Sequence, residues 1–405
     1  MQRRTFLKTA LGATGGAVLG TSALEASRDV HISHPIDDRP VLDIAFPQKQ
    51  PLITHSDRPP LLETPRRFFA NPITPNDAFF VRWHMPMIPT YIDKSEFTLR
   101  IDGEVSTPLN ISLASLIHDF EPVEIAAVMQ CGGNGRSAFK PTPGGIQWGI
   151  GAMGCAVWKG ARLKDVLAKA GLKPSSKWLI LDGMEKAVYN KTDDFRRALE
   201  IDKIDENIII AYAMNGEPLP YLNGYPVRLI IPGTYADSWM KMLHHITVTD
   251  KEPELHFMKH AYRIPDNECE CELPDKLYPK TKPIETMNVN SLIGFPVSNA
   301  RIKAGTPVTV RGVAFDGGEG IAKVDVSLDG GKTWHAAQLD DGKLGRFAYR
   351  GWRYEFTPQT PGQLSIMCRA TNTKGDTQPF AHEIKWNRGG YKFNGIDEVR
   401  VEVVA

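Results

Sequence analysis

The clearest helical period in these 405 residues is one short stretch, ARLKDVLAKAG at 161–171, which sets Leu163, Val166, Leu167 and Ala170 on one face and ends at Gly171. A chain with so few helical stretches must bury its apolar residues mainly through strands. From Phe79 to about Asp250 short β-like runs recur (FTLRIDGEV, VEIAAVMQC, KWLILDG, IIIAYAMNG, PVRLIIPG, ITVTD). With the helix among them, this part reads as α+β. The 35 glycines and 30 prolines of the whole chain agree with many loops and short strands.

The pattern changes along the chain. Residues 27–75 are Pro-rich (RPPLLETPRRFFANPITP) and read as an extended arm without regular structure. Between 251 and 290 the chain is charged and Pro-rich, as an interdomain crossing would be. From about 291 apolar and polar residues alternate (PVTVRGVAF, AKVDVSLDGGKTWHAAQL, RGWRYEFTP, QLSIMCRATNTKGD), with turn signals DGGK and NTKGD between them. That pattern predicts an all-β, immunoglobulin-like sandwich of roughly 110 residues. The expected divisions are 1–26, 27–75, 76–285 and 286–405.

Residues 1–26, MQRRTFLKTALGATGGAVLGTSALEA, join paired Arg3 and Arg4 to a weakly apolar Ala/Gly run that ends in small residues. This predicts a twin-arginine signal peptide, cleaved near Ala23 or Ala26, and a periplasmic mature protein. The run is about 15 residues, short of the roughly 20 a bilayer helix needs, so no membrane anchor is expected. A net charge of +1 supplies no global field for nucleic acid, and no nucleic-acid partner is expected. Five cysteines leave at least one unpaired. Cys269 and Cys271 sit too close for a relaxed bridge and read as two loop thiols, while Cys155 and Cys368 read as core.

Cys131 opens the loop QCGGNGRSAF, where little side-chain bulk surrounds its sulfur. No CxxC and no neighbouring His accompanies it, which leaves a soft thiolate metal ligand with glycines giving a bulky cofactor room to approach. Four further stretches accompany this loop in order: FFVRWHMPMIP (79–89), GIQWGIGAMGCAVWKGARLKDVL (145–167), YAMNGEPLPYLNGYPVRLIIPG (212–233) and WMKMLHHITV (239–248). Together they resemble the sulfite oxidase family of molybdopterin enzymes, nearest to its bacterial periplasmic sulfite dehydrogenases. The resemblance runs from about residue 60 to the C-terminus. It implies a mixed α/β molybdopterin-binding domain followed by an immunoglobulin-like dimerisation domain.

By position, the resemblance makes Cys131 the thiolate ligand of an oxo-molybdenum centre. Arg82 and Arg136 would face a substrate oxyanion, which the planar guanidinium fork matches. Tyr262, in HAYRIPD, would be the active-site tyrosine, and Trp148 the aromatic beside the pocket. A third substrate arginine belongs to a WNxRG-like segment; this chain reads WNRGGY, one residue out of step, so Arg388 is the candidate, with Arg346 or Arg350 as substitutes. Phe80, His84, Arg228, Trp239 and Lys241 would hold the pyranopterin and its phosphate. Asn223 stands where animal and plant relatives carry a histidine. His244 and His245 are adjacent on a strand, so their side chains point apart and read as packing or solvent residues.

The implied reaction is oxidation of sulfite to sulfate. With no CxxCH haem attachment in the chain, the implied electron acceptor is an external c-type cytochrome, and a homodimer through the C-terminal domain is expected. The alternatives are the molybdenum subunit of a thiosulfate-oxidising multienzyme system, a relative that reduces S-oxides or nitrate, and a periplasmic immunoglobulin-like binding module.

Overall fold

The computed structural model describes His31–Ile32 and residues 45–405; the expected leader, 1–26, lies outside the described residues, as does most of the first part of the expected arm. Among the described residues most of the regular structure is β, with three short α-helices at Leu113–His118, Leu163–Ala170 and His256–Lys259. The middle helix buries Leu163, Val166, Leu167 and Ala170, and Gly171 closes it at φ +68°. Its first two expected residues instead end the strand Met153–Arg162.

Two five-stranded sheets dominate the part before residue 284. In one, Met153–Arg162 lies between Pro122–Gln130 and Ile209–Met214. It is buried along most of its length, and Cys155 and Trp158 are fully enclosed. Burial pushes the Cys155 thiol up to about 12, so it stays an inert core residue. In the other sheet the order is Arg196–Glu200, Trp178–Gly183, Leu243–Thr249, Thr98–Gly103, Leu109–Ser112, with only the third and fourth strands parallel. His244 and His245 lie on its third strand near Asp182 and Asp102, at 3.9 and 2.9 Å.

The Pro-rich segment differs from the expected irregular arm. Ile53–Asp57 and Pro60–Glu63 form a hairpin whose second strand also pairs with Val81–Arg82. Its prolines occupy the turn and the first strand position, where a missing N–H breaks no ladder, while Leu61 and Leu62 are buried on opposite faces, in separate apolar clusters. The hairpin thereby positions the strand that carries Arg82.

Among the described residues, no ladder joins a strand ending before residue 284 to one beginning after 289. The C-terminal strands form two antiparallel-rich sheets, one ordered Asn290–Phe295, Val308–Phe315, Arg350–Phe356, Gln338–Leu339. The other runs Arg301–Lys303, Asp397–Val404, Gly362–Asn372, Ile321–Ser327, His335–Ala336. Between them lies a separate core that includes Val310, Val324, Trp352, Ile366 and Cys368. The two parts meet through a buried Arg66–Asp397 ion pair at 2.6 Å and through main-chain bonds such as Lys392 N–H to Gly132 O at 3.1 Å. The segment 386–392 is thus carried back onto the cysteine loop.

Candidate active site

The strand Pro122–Gln130 ends in four buried residues and delivers Cys131 to the edge of a pocket. Its amide donates to Ala152 O at 2.9 Å, and its carbonyl accepts from Asn134 N–H at 2.9 Å. The Asn134 side-chain oxygen in turn accepts from Ala152 N–H, so the loop is fixed from within. Gly135 sits at φ +80°, where a side chain would be strained. The sulfur is half-buried, and Cys131 has no disulfide partner. Among the described residues no group of three or more His, Cys, Asp or Glu side chains is placed to hold a metal ion. A metal at Cys131 must therefore bring most of its own ligands.

Arg82, His84, Arg228 and Lys241 line the same pocket. Arg228 is fully buried and donates to Asn223 O and Trp239 O at 2.7 and 2.9 Å. Its Nε has no hydrogen-bond partner, and burial draws the guanidinium down to about 9. Lys241 Nζ is 3.2 Å from Glu185 Oε1 and 4.7 Å from the ring centre of Trp83; burial lowers its pKa against the pull of Glu185. Asn223 donates to Phe80 O at 3.0 Å and accepts from Lys49 Nζ at 2.6 Å. Phe80 and Trp239 complete the wall on this side, and Trp239 Nε1 donates to Thr234 Oγ1 at 3.1 Å.

His84 stacks on Phe195 with ring centres 3.4 Å apart, and its Nε2 is hydrogen-bonded to the Tyr262 hydroxyl. Burial, then Arg82, Lys241 and Arg197, hold its pKa well below the ordinary histidine value, so the ring is neutral. Its Nδ1 is buried without a hydrogen bond, 3.9 Å from Glu185 Oε1. Burial likewise pushes the Tyr262 phenol upward, against Arg82, and keeps the hydroxyl protonated as a donor. Tyr262 has φ +56°, a left-handed conformation that only surrounding contacts sustain in a residue with a side chain.

Among the described residues Arg82, Arg136 and Arg228 have no carboxylate partner. Arg136 and Arg228 are buried and Arg82 half-buried, and cations so placed without counter-charge are costly unless an anion arrives to meet them. Together with the unpartnered His84 Nδ1 and Arg228 Nε, they fit a large anionic group with many acceptors that reaches the Cys131 sulfur. The molybdopterin expected from the resemblance has that chemistry.

Of the expected site residues, Cys131, Phe80, Arg82, His84, Asn223, Arg228, Trp239, Lys241 and Tyr262 line one pocket, and Arg136 stands behind the cysteine loop. Trp148 is not brought to it: the side chain is fully buried and packs edge-on against His55 at 4.6 Å. Arg388 is not brought there either. Its guanidinium is taken by Glu272 at 2.6–3.1 Å and by Tyr278 O at 2.5 Å, because the one-residue shift in WNRGGY turns it toward that carboxylate. Arg350 is paired with Asp340 at 3.0 Å, and Arg346 lies over Phe347. The expected pair of loop thiols is corrected as well. Cys269 and Cys271 are disulfide-bonded with Cα atoms 5.1 Å apart, a turn made by Glu270 at φ +50°.

Three residues that sequence reasoning passed over also shape the pocket or its surroundings. Glu185, fully buried, accepts from the amides of His84 and Met85 at 2.8 and 2.9 Å. Asp237 lines the pocket and pairs with Arg197; burial pushes its carboxyl up to about 6 despite that arginine. Tyr391 stacks on Tyr262 with centroids 5.8 Å apart. None of these belongs to a local motif, and a buried acid two residues after a strand was the only visible signal for Glu185.

Residues 84–257 match the model of an oxidoreductase molybdopterin binding domain, and 281–403 that of a Mo-co oxidoreductase dimerisation domain. The chain is 33% identical over 390 residues to mitochondrial sulfite oxidase of Macaca fascicularis, covering 92% of this chain and 69% of that protein. It is 30% identical over 372 residues to the NADH nitrate reductase of Spinacia oleracea, covering 86% of this chain and 39% of that protein. Among solved structures, the sulfane dehydrogenase SoxCD from Paracoccus pantotrophus superposes with a TM-score of 0.73 at 25% identity, over 92% of this chain and 95% of that one.

Proposed function

The chain belongs to the sulfite oxidase family of molybdopterin oxidoreductases, and from that premise we propose that it is a periplasmic sulfite dehydrogenase passing electrons to an external c-type cytochrome. The cofactor, when bound, supplies a two-electron oxidant and a centre for oxygen transfer. Cys131 would hold its metal. Arg228, Lys241 and His84, with Asn223 fixed beside them, would hold its anionic body. Arg82 and Arg136 would receive the sulfite dianion with charge-assisted hydrogen bonds and stabilise charge as sulfate forms. Tyr262 keeps its proton and donates it to Nε2 of neutral His84, which leaves His84 Nδ1–H free to donate to the anionic body and fixes the phenol oxygen at the pocket.

The observation that carries this reading is the set of buried and half-buried arginines without carboxylate partners around Cys131, Arg228, Arg136 and Arg82. Sulfite-dependent reduction of ferricyanide by protein of confirmed molybdenum content tests it, with Cys131→Ser as the comparison. Native activity that is lost in the variant supports the assignment; molybdenum-loaded native protein without sulfite activity overturns it. The likeness to the sulfane dehydrogenase favours a second reading, oxidation of sulfane sulfur, and the same assay with a sulfane donor in place of sulfite separates the two. The Arg3–Arg4 leader supports export, and the N-terminal residue of the mature protein checks it. The match at 281–403 supports a homodimer, which light scattering measures.

A further inference from the structure

Tyr391 reaches the site from the segment that precedes the closing strand Asp397–Val404, so it belongs to the C-terminal part of the chain. Its half-buried ring is nearly parallel to Tyr262, at 24°, and lies 5.3 Å from the guanidinium carbon of Arg136. Its hydroxyl accepts the amide N–H of Tyr262 at 3.2 Å. The same side chain therefore touches two of the residues given roles at the substrate in the proposed reaction, Tyr262 and Arg136.

The space around this pair is cleared by glycine. A Cβ at Gly389 would collide with the Tyr391 ring, and one at Gly133, Gly145 or Gly390 would press on the Arg136 side chain. Four bare positions from three segments leave room for one arginine and one tyrosine. Arg136 spends Nε on Gly389 O at 2.7 Å and Nη1 on Ile146 O at 2.9 Å, with the aromatic ring supporting its face. No carboxylate holds it among the described residues. Tyr262 keeps its left-handed backbone through two bonds: its N–H to Tyr391 and its carbonyl accepting from Ile284 N–H at 2.9 Å.

We propose that Tyr391 is a positioning residue for sulfite oxidation, its ring setting Arg136 toward the anion and its hydroxyl holding Tyr262 in place. The proposal rests on the sulfite reading for its substrate. The two contacts separate chemically, because Tyr391→Phe keeps the ring and loses the acceptor, while Tyr391→Leu loses both.

Steady-state kinetics on holoenzymes matched for molybdenum content test this. Tyr391→Leu is expected to raise the sulfite KM about tenfold, as loss of an oriented guanidinium contact does. Tyr391→Phe is expected to keep KM within about twofold and to lower kcat several-fold, since Tyr262 loses its amide anchor. An unchanged KM in the leucine variant, or equal KM changes in both, overturns the role of the ring. Wild-type kinetics in the phenylalanine variant overturns that of the hydroxyl, and this arm stands even where the leucine variant does not fold. A native holoenzyme that does not turn over sulfite defeats the reaction assignment but not the clamp. The clamp is then read from the sulfate concentration that half-saturates the rise in Tm of the holoenzyme: about tenfold higher in the leucine variant alone supports it, and no change overturns it.

Discussion

Two clusters of basic side chains lie within a short span of the cysteine loop and are treated oppositely by the fold. In the segments 270–282 and 388–392 three cations each have an acid: Arg388 with Glu272 at 2.6 Å, Lys392 with Glu270 at 2.6 Å, Lys282 with Glu270 at 2.9 Å. In the pocket Arg82 and Arg228, and beside it Arg136, have none among the described residues, and Lys241 shares a single carboxylate. Matched charges tie chain segments together and are complete in the protein alone. Unmatched ones are an expense that the protein carries for a ligand. The difference separates a structural arginine from a binding one without recourse to motif.

Arg228→Met is the strongest way to break this contrast. Removing the guanidinium should cut molybdenum cofactor content at least tenfold, roughly the value of one or two charge-assisted hydrogen bonds. The melting temperature of cofactor-free protein should move little by comparison. The carbonyls of Asn223 and Trp239 lose their donors, but a buried charge without a carboxylate partner is also removed. Metal analysis of the purified variant and a melting curve of its cofactor-free form measure both. Collapse of the cofactor-free protein would place Arg228 with the structural arginines.

Glu272→Gln strikes the other cluster and should show the reverse pattern. Glu272 is buried and accepts from the amides of Arg388 and Tyr278 as well as from the Arg388 guanidinium. Because Arg388 itself is 38% exposed and partly screened, a loss of about 1–2 kcal/mol in urea unfolding is expected. Cofactor content should hold. A variant that loses its cofactor while keeping its stability would erase the distinction.

Acid sharpens the comparison further, because the two clusters contain carboxylates shifted in opposite directions. Burial opposes ionisation of Glu272, yet hydrogen bonds from Arg388 and two amides outweigh it and hold the carboxyl below its ordinary 4.5. Its contribution is full above that value and is lost as pH falls through the lower folded pKa. Asp237, at about 6, binds a proton more tightly folded than unfolded, so its share of stability declines as pH rises from its ordinary 3.8 to about 6. Melting curves of the cofactor-free wild type against Asp237→Asn should therefore converge or cross in that window. Against Glu272→Gln they should diverge as pH rises from about 3 to about 5. Parallel curves in either case would show that the shift is absent.

What could be read from the sequence follows the range of the contacts involved. The helix Leu163–Ala170 was legible because its apolar spacing and its Gly171 stop are local. The cysteine loop was legible because bare glycine beside a thiol has few uses. The hairpin at 53–63 was hidden by prolines that sit where the ladder does not need their N–H. Arg388 was misplaced because one residue of register in WNRGGY decides whether the guanidinium meets the pocket or Glu272, 116 positions away. Tyr391 was missed because its two partners are distant in sequence, Tyr262 by 129 positions. The disulfide was missed because it depends on Glu270 adopting a positive φ. Residues that act through long-range contacts leave no periodic trace.

The smallest effect concerns Gly133, at the edge between the two clusters. A Cβ there would meet Arg136 Nη2, Cζ and Nη1, the far end of a flexible side chain and not backbone. Gly133 is not among the glycines with positive φ, so alanine is compatible with its backbone. Gly133→Ala should therefore leave unfolding free energy within about 0.5 kcal/mol, as arginine's tip shifts to make room. The displaced guanidinium no longer meets the anion squarely, and the sulfite KM should rise about two- to fivefold with kcat nearly unchanged. If Arg136 were a structural residue of the matched kind, the same substitution would instead lower stability and leave KM alone. That outcome would move it across the divide, and with it the reading of Tyr391 as the residue that aims it.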